Sequence, residues 1–578
     1  MRVAESGREG GAHAAADRTT IARLLLDRAD DPHPGVRTRD RTWSWAETVR
    51  ESAARGALAD AVFVDGPRHI GVLLDNDPEY LFWLGGAALT GATIVGINST
   101  RRGAMLEAEI RFADCRIIVT DSAGLELLAG LDVGVPPERI LVTDGPGYAE
   151  AVDAHRLPAG SAVQADASAG EDALMLLLFT SGTTGMSKAV KCSQGRLARL
   201  GYRLGRKYAV TRDDVCYCCM PLFHGNALMS LWAPALAAGA TVCLTPKFTA
   251  SGFLDDVRHF GATFFTYVGK ALGYLMLTPE RPDDADNTLT HGFGTEASPD
   301  DQAEFRRRFG AVLYEGYGSS EGSGSVRRAP DAPEGALGRP AHEDIVIVDP
   351  DTLAAKKPAL LDRYGRVQNP DEAIGEIVDK RGARAFEGYY KNDAADAERL
   401  RHGWYWTGDL GYVDVDGFIY FAGRKGDWIR VDGENTSALL IERILRRHPQ
   451  VATAVAFAVP DPRSGDQVMA AVEVQPGAEF DTDEFVGFLA AQNDLGTKAT
   501  PRLLRVSRGL PTTGSNKVQK KVVARQAWRC DEPVYRWAGR GGVHYEPMSA
   551  EQMDALEAEF ATYGRTRLLP PGAAAVGA

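Results

Sequence analysis

Short apolar runs alternate with longer helical patterns through the first third of the chain. H-I-G-V-L-L (69–74) reads as a strand, and Pro78 opens a helix through Y-L-F-W-L-G-G-A-A-L-T. A-T-I-V-G-I-N (92–98) is a second strand, 104–114 a second helix and R-I-I-V-T (116–120) a third strand. This βαβαβ order predicts a parallel sheet with helices on its faces. Upstream, Ser44 and Glu47 have the S-x-x-E spacing of a capping box, so a helix should begin there. Gly-Ala-Thr recurs at 91–93, 239–241 and 261–263, each time between a helical pattern and a strand. Glycine suits the left-handed residue after a helix and threonine the strand that follows. Three uses point to two or more related α/β layers.

The pattern changes twice. Gly, Pro and charge concentrate at 330–372, which implies exposed turns, and a second break falls near 423–426. Beyond it a helix over 437–447 is stopped by Pro449, and the alternating V-A-T-A-V-A-F-A-V (451–459) pairs plausibly with V-M-A-A-V-E-V (468–474). Asp481 and Glu484 cap another helix, and Ser549 with Gln552 opens a last one that closes at Gly564. The expected organisation is a flexible lead (1–20), a large N-terminal domain of layered α/β subdomains (21–423), a small α+β domain (424–535) and a C-terminal appendage (536–578), in the α/β class overall.

Composition narrows the function. With 44% hydrophobic and 25% charged residues the 578-residue chain is an ordinary globular one. Its formal charge of −13 argues against a general nucleic-acid binder, and an anionic substrate must be met by local cations or backbone N–H groups. Seven cysteines do not make a disulfide framework. Cys216, Cys218 and Cys219 cluster, with His224 nearby, but V-C-Y-C-C-M reads as a strand and zinc-type spacing is missing. The first residues have no apolar signal core. The apolar stretches 81–95 and 227–244 contain Gly or Pro and read as helix then strand, not as spans of about 20 residues. A reduced, cytoplasmic enzyme is expected.

Four segments carry the chemistry. L-L-L-F-T-S-G-T-T-G-M-S-K (176–188) runs an apolar strand into a Ser/Thr/Gly loop and a lysine. Its glycines let backbone N–H groups face phosphate oxygens, its hydroxyls add donors and Lys188 adds charge. It is not a Walker A loop. Y-E-G-Y-G-S-S-E-G (314–322) contains G-S-S-E-G, which satisfies the G-x-S-x-G nucleophile-elbow pattern, so a serine hydrolase using Ser320, with His402 or His448, competes. The other reading makes Tyr317 a stacking surface, Ser320 a phosphate contact and Glu321 a hard oxygen ligand for Mg²⁺. W-Y-W-T-G-D-L-G-Y (404–412) offers Asp409, a turn carboxylate or an acceptor for ribose hydroxyls, with Arg424 downstream. L-P-T-T-G-S-N-K-V-Q-K-K (510–521) is a flexible turn followed by a basic run.

Taken together, in order and spacing from about residue 40 to 530, these segments resemble the AMP-forming adenylating superfamily of acyl-CoA synthetases, luciferases and peptide-synthetase adenylation domains. A-S-G-F-L (250–254), Y-V-G-K (267–270), E-A-I-G-E-I (372–377) and G-E-N-T-S (433–437) look closest to the fatty-acid-transport-protein-like branch, which includes actinobacterial synthetases for long-chain or steroid-derived carboxylates. Departures are Ser320 for the usual Thr, Ala189 for Gly after the loop lysine, Gly426 at the hinge position and Asn516 before the expected catalytic lysine, with Lys520 and Lys521 as neighbouring rivals.

The resemblance implies that a carboxylic acid is activated by ATP as an acyl adenylate and passed to CoA, with Mg²⁺ as cofactor. It assigns Lys517 and His224 as catalytic, His224 being a gate between the carboxylate and thiol tunnels. It assigns ATP and AMP to Thr180, Ser181, Gly182, Thr183, Thr184, Gly185, Lys188, Gly294, Thr295, Glu296, Tyr317, Gly318, Ser320, Asp409 and Arg424. Glu321 would hold Mg²⁺, Gly426 would be the hinge of a mobile C-terminal domain, and Gly269 and Gly433 would line the acyl and CoA channel. Fatty, aryl and steroid acids all remain open, and so does a homodimer. The alternatives are loading of a carrier-protein thiol and transfer to nitrogen, such as nitrite activation for diazotisation.

Overall fold

Each Gly-Ala-Thr does what its residue types dictate. Gly91, Gly239 and Gly261 end helices with φ of 67°, 76° and 66°. Each threonine then ties its strand to a neighbour. Thr93 Oγ1 donates to Leu174 O (2.8 Å) and Thr241 Oγ1 to Pro34 O (2.9 Å). Thr263 Oγ1 donates to Asp214 (2.7 Å) and accepts from Val215 N (3.0 Å). One copy belongs to one sheet and two to another, so the repeat marks two α/β layers. The computed structural model describes residues 19–570, apart from 64, 181–187, 296, 298, 323, 325, 328–331, 334, 363–366, 425–427, 432, 433, 464, 465, 493, 494, 496–498, 514–516 and 539–543.

By its internal contacts the chain divides into Met1–Gly322 with Arg384–Ala397, and Ser323–Ala383 with Glu398–Ala578. The first unit holds both mainly parallel sheets. One runs Ile140–Val142, Ile117–Thr120, His69–Leu73, Thr93–Gly96, Leu174–Thr180 and Lys188–Ser193, only the last antiparallel. The other runs Val312–Glu315, His291–Thr295, Phe264–Val268, Val215–Cys218, Thr241–Leu244, Pro34–Arg37 and Thr42–Ser44, again with only the last antiparallel. The expected Ser44–Glu47 capping box forms, with Glu47 N donating to Ser44 Oγ at 3.1 Å and Ser44 N to Glu47 at 2.7 Å. Cys216, Cys218 and Cys219 lie on or just past a strand with buried side chains, and burial raises the thiol pKa of each. Residues 225–238 are helical with a π segment at Leu228–Trp232. Pro234, which has no N–H to donate, follows that irregular stretch.

The second unit contains an antiparallel sheet in the order Val326–Arg327, Ala336–Pro340, Ile419–Arg424, Trp404–Val413, Gly375–Asp379 and Ile345–Val348. Because 419–424 pairs back to 336–340, the contact division does not follow the expected break at 423/424. A five-stranded sheet of Val451–Pro460, Asp466–Val474, Leu503–Ser507, Val534–Ala538 and His544–Pro547 follows. The segment expected as an appendage supplies its last strand and part of the one before. Leu556 and Phe560, on the helix Ala550–Thr562, join the core of Trp528, Val459 and Met469. No helix among the described residues is long and apolar enough to cross a membrane.

Candidate active site

The strand Leu174–Thr180 and its antiparallel neighbour pair from Leu174↔Ser193 to Thr180↔Lys188. The Ser/Thr/Gly loop is therefore the connection at the carboxyl end of a mainly parallel sheet, where α/β folds place their ligands. Thr180 and Lys188 flank it; Ser181, Gly182, Thr183, Thr184 and Gly185 lie outside the described residues. A short strap, residues 384–397, lines the outer edge of the second strand. Lys191 N donates to Gly388 O (3.0 Å) and Tyr390 N to Ala189 O (2.8 Å), setting Tyr389 opposite Val190. The buried Tyr389 hydroxyl donates to Glu321 Oε1 at 2.7 Å, and the Lys188 ammonium lies 5.2 Å from the centre of its ring.

Glu321 is itself buried. The turn carrying it is held from below by Arg196, in the first turn of the helix Gln194–Lys207. The Arg196 guanidinium donates to Lys191 O (2.8 Å) and to Ser320 O. Gly322 has φ of 87°, and a Cβ there would sit 2.6 Å from Arg196 Nη2, so glycine is required twice over. From the other side a Cβ on Gly225 would come 3.2 Å from Ser320 Oγ, so the H-G-N turn with His224 meets the G-S-S-E turn. The His224 ring packs against Phe223 at 4.6 Å. Among the described residues no histidine bonds Ser320 Oγ. His448, one partner required by a hydrolase, is buried among Phe480, Phe485 and Phe488 and accepts a bond from Gln450 N (3.2 Å).

The second sheet brings up Gly294 and Thr295. Gly294 lies against the Tyr267 ring, where a Cβ would stand 2.4 Å away, and Tyr267 OH donates to Glu315 at 2.7 Å. Ala297 N also donates to Glu315 (3.3 Å), and Gly316 N to Gly294 O (2.9 Å). This links the strand end to the turn holding Tyr317, Gly318 and Ser320, while Glu296 lies outside the described residues. Asn226 Nδ2 donates to Tyr267 O (3.2 Å), joining the His224 turn to the same place. Beside it lies a small apolar void of about 10 Å³ walled by Met220, Phe248, Phe265, Tyr267, Ala271 and Leu275, among others. Gly269 starts the helix Gly269–Met276 that forms one wall.

The remaining candidates belong to the second unit. Asp409 and Arg424 occupy directly opposed positions on neighbouring strands. Lys517 is exposed on the return arm of a tight turn, its N donating to Thr513 Oγ1 (3.1 Å) and its O accepting from Thr513 N (2.7 Å). Its rival Lys520 is bound to Glu442 at 3.0 Å. Burial raises the Glu442 pKa and Lys520 opposes that shift. Gly426 and Gly433 lie outside the described residues.

Two family profiles match this chain: AMP-binding enzyme over residues 18–390 and AMP-binding enzyme C-terminal domain over 440–517. The chain belongs to the AMP-binding enzymes, as an acyl-CoA synthetase. It is 68% identical to the steroid-22-oyl-CoA synthetase of Rhodococcus jostii over 96% of this chain and 99% of that one. It is 44% identical to a medium/long-chain-fatty-acid–CoA ligase of Mycobacterium marinum over 89% and 98%. The fold matches that of the anthranilate CoA ligase AuaEII in complex with anthranoyl-AMP, with a TM-score of 0.75 at 20% identity, covering 88% of this chain and 97% of that one. ATP and CoA are thus substrates of the synthetase. Sequence reading missed Arg196, Glu315 and Tyr389. Arg196 stands three positions after the helix N-cap Ser193, where no element was predicted; Tyr389 follows a glycine, Gly388, whose φ is 86°.

Proposed function

We propose that this synthetase converts a steroid-derived carboxylic acid to its CoA thioester, with Mg²⁺, in the cytoplasm where ATP and CoA are supplied. The observation that carries the reading is the 68% identity, over nearly the whole of both chains, to a steroid-22-oyl-CoA synthetase. The side chains beside the His224 turn are apolar, Met220, Phe265, Tyr267 and Ala271 among them, but the void between them holds about one water, so a bulky acid would enter only after these side chains move.

A carboxylate is a poor acyl donor, because oxide would have to leave. Its attack on the α-phosphate of ATP expels pyrophosphate and makes AMP the later leaving group. The Thr180–Lys188 connection, with Ser181, Gly182, Thr183, Thr184 and Gly185, cradles the phosphates, and Ser320 adds a hydroxyl donor. Gly294, Thr295 and Glu296 line the adenine and Tyr317, followed by Gly318, stacks on it. Asp409 accepts the ribose hydroxyls with Arg424 at the opposed position, and Lys517 neutralises charge in the transition state. The residues fit a magnesium ion: Glu321 is a hard carboxylate fixed on one oxygen by Tyr389, and Mg²⁺ takes few protein carboxylates alongside substrate phosphates. When bound it would neutralise charge on the phosphates. His224 then gates the approach of the CoA thiol to the acyl carbon, along a channel lined by Gly269 and Gly433, after a rearrangement at Gly426.

The test is pyrophosphate release over a panel of steroid side-chain acids, aryl acids and fatty acids, with and without CoA, followed by product mass. A steroid acid should give the highest kcat/KM and a CoA thioester. Preference for a straight-chain fatty acid would overturn the substrate assignment.

A further inference from the structure

We propose that Tyr389 is a positioning residue for adenylation, orienting Glu321 with its hydroxyl and Lys188 with its ring, and so coupling the divalent cation to ATP. The inference rests on the assignment of Glu321 to Mg²⁺ made above.

Tyr389 is 2% exposed and is clamped before it touches the site. Glu387 accepts from both Ser193 N and Ser193 Oγ at 2.6 Å. Tyr389 N donates to Asp396 at 2.7 Å, and Tyr390 OH to Asp114 at 2.6 Å, where Lys391 is also paired. Between them, a Cβ on Gly388 would meet Asp396 Oδ2 at 2.6 Å, so this stretch of backbone admits no side chain. The strap therefore delivers one ring to one place. A ring that only filled space would need no hydroxyl, and a buried hydroxyl needs only some acceptor. Here the acceptor is the single buried carboxylate of the G-S-S-E turn. A neutral donor on one carboxylate oxygen fixes the rotamer and leaves the charge in place for a cation. The opposite requirement, a cation held near the phosphates, is served by the ring face under the Lys188 ammonium.

The test is ATP affinity by calorimetry on the full chain, without acid, in saturating Mg²⁺ and in EDTA; the ratio is the gain due to the cation. Tyr389→Phe keeps the ring, so affinity in EDTA should stay at the parent value. Its gain should fall by roughly tenfold, as expected for losing a hydrogen bond to a charged group. Tyr389→Leu should also weaken binding in EDTA, by roughly threefold, through loss of the ring under Lys188. If Tyr389→Leu does not fold, Tyr389→Phe decides alone. A parent-like gain in Tyr389→Phe, with the gain lost in Glu321→Gln, would overturn this inference and leave Glu321 in its role. A parent-like gain in Glu321→Gln would instead remove the assignment on which it stands.

Discussion

Replacing Arg196 by methionine should weaken ATP binding without any contact of that residue with nucleotide. Arg196 is 6% exposed, and its guanidinium donates to Lys191 O and Ser320 O. Hydrogen bonds to a charged group are each worth about 1.5–3 kcal/mol, and methionine satisfies neither carbonyl. We take about 3 kcal/mol as the loss of anchoring for the turn that carries Ser320 and Glu321. Apparent affinity scales with the fraction of molecules holding the binding-competent turn, so the full loss corresponds to roughly 100-fold. Part of it is absorbed if the turn is now held with stability to spare, and roughly tenfold is then the lower bound. Arg196→Lys, which reaches one carbonyl with charge intact, should fall between. The assay is ATP calorimetry on variants that melt cooperatively near the parent temperature. An ATP Kd for Arg196→Met within about twofold of the parent would refute the anchoring argument.

The two lysines of the C-terminal turn should separate cleanly. Lys517→Ala should lower pyrophosphate release by about 100-fold or more at unchanged stability, since the residue is exposed. Lys520→Ala should lower stability by about 1.5–3 kcal/mol by removing the charged partner of the half-buried Glu442, with urea unfolding as the check. Ala271→Phe should overpack the buried face of the helix Gly269–Met276 and lower stability by about 1–3 kcal/mol in urea unfolding, since the void beside it holds no ring. His69, His291 and His448 all have pKa values lowered mainly by burial, so they are neutral when folded. The unfolded chain takes up these protons below about pH 6.5, and stability should fall as the pH drops below that value. His448→Phe should flatten that slope in a series of melts; an unchanged slope would exclude His448 as a contributor.

What the sequence carried was local. Capping boxes, left-handed glycines and β-branched starts are short-range chemistry, and the Ser44–Glu47 box and the three Gly-Ala-Thr junctions appear where the residues put them. The break between the strands that flank residues 181–187 was legible because Gly, Ser and Thr in that density interrupt a strand pattern. Long-range returns were not. Residues 384–397 sit in a Gly- and charge-rich stretch, yet they join the first unit through Ser193 and Asp114, far away in sequence. Nothing in the spacing of Glu387 or Tyr389 encodes those partners. Likewise, the 336–340 pairing with 419–424 is a register between distant strands, and it moves the contact division away from the composition break.

The net charge of −13 sharpens the electrostatic problem that the site must solve. ATP approaches against the overall field, so neutralisation has to be local. Arg196 turns its donors to two carbonyls of the protein, so beside its charge it lends the turn rigidity. The Lys188 ammonium lies over the Tyr389 ring, whose face attracts a cation. The Tyr389 side chain lies against both Lys188 and Glu321 and carries no charge itself. On the proposed assignments this ring stands between the cation for phosphate and the carboxylate for magnesium, and the strap residues from Glu387 to Asp396 hold it in place.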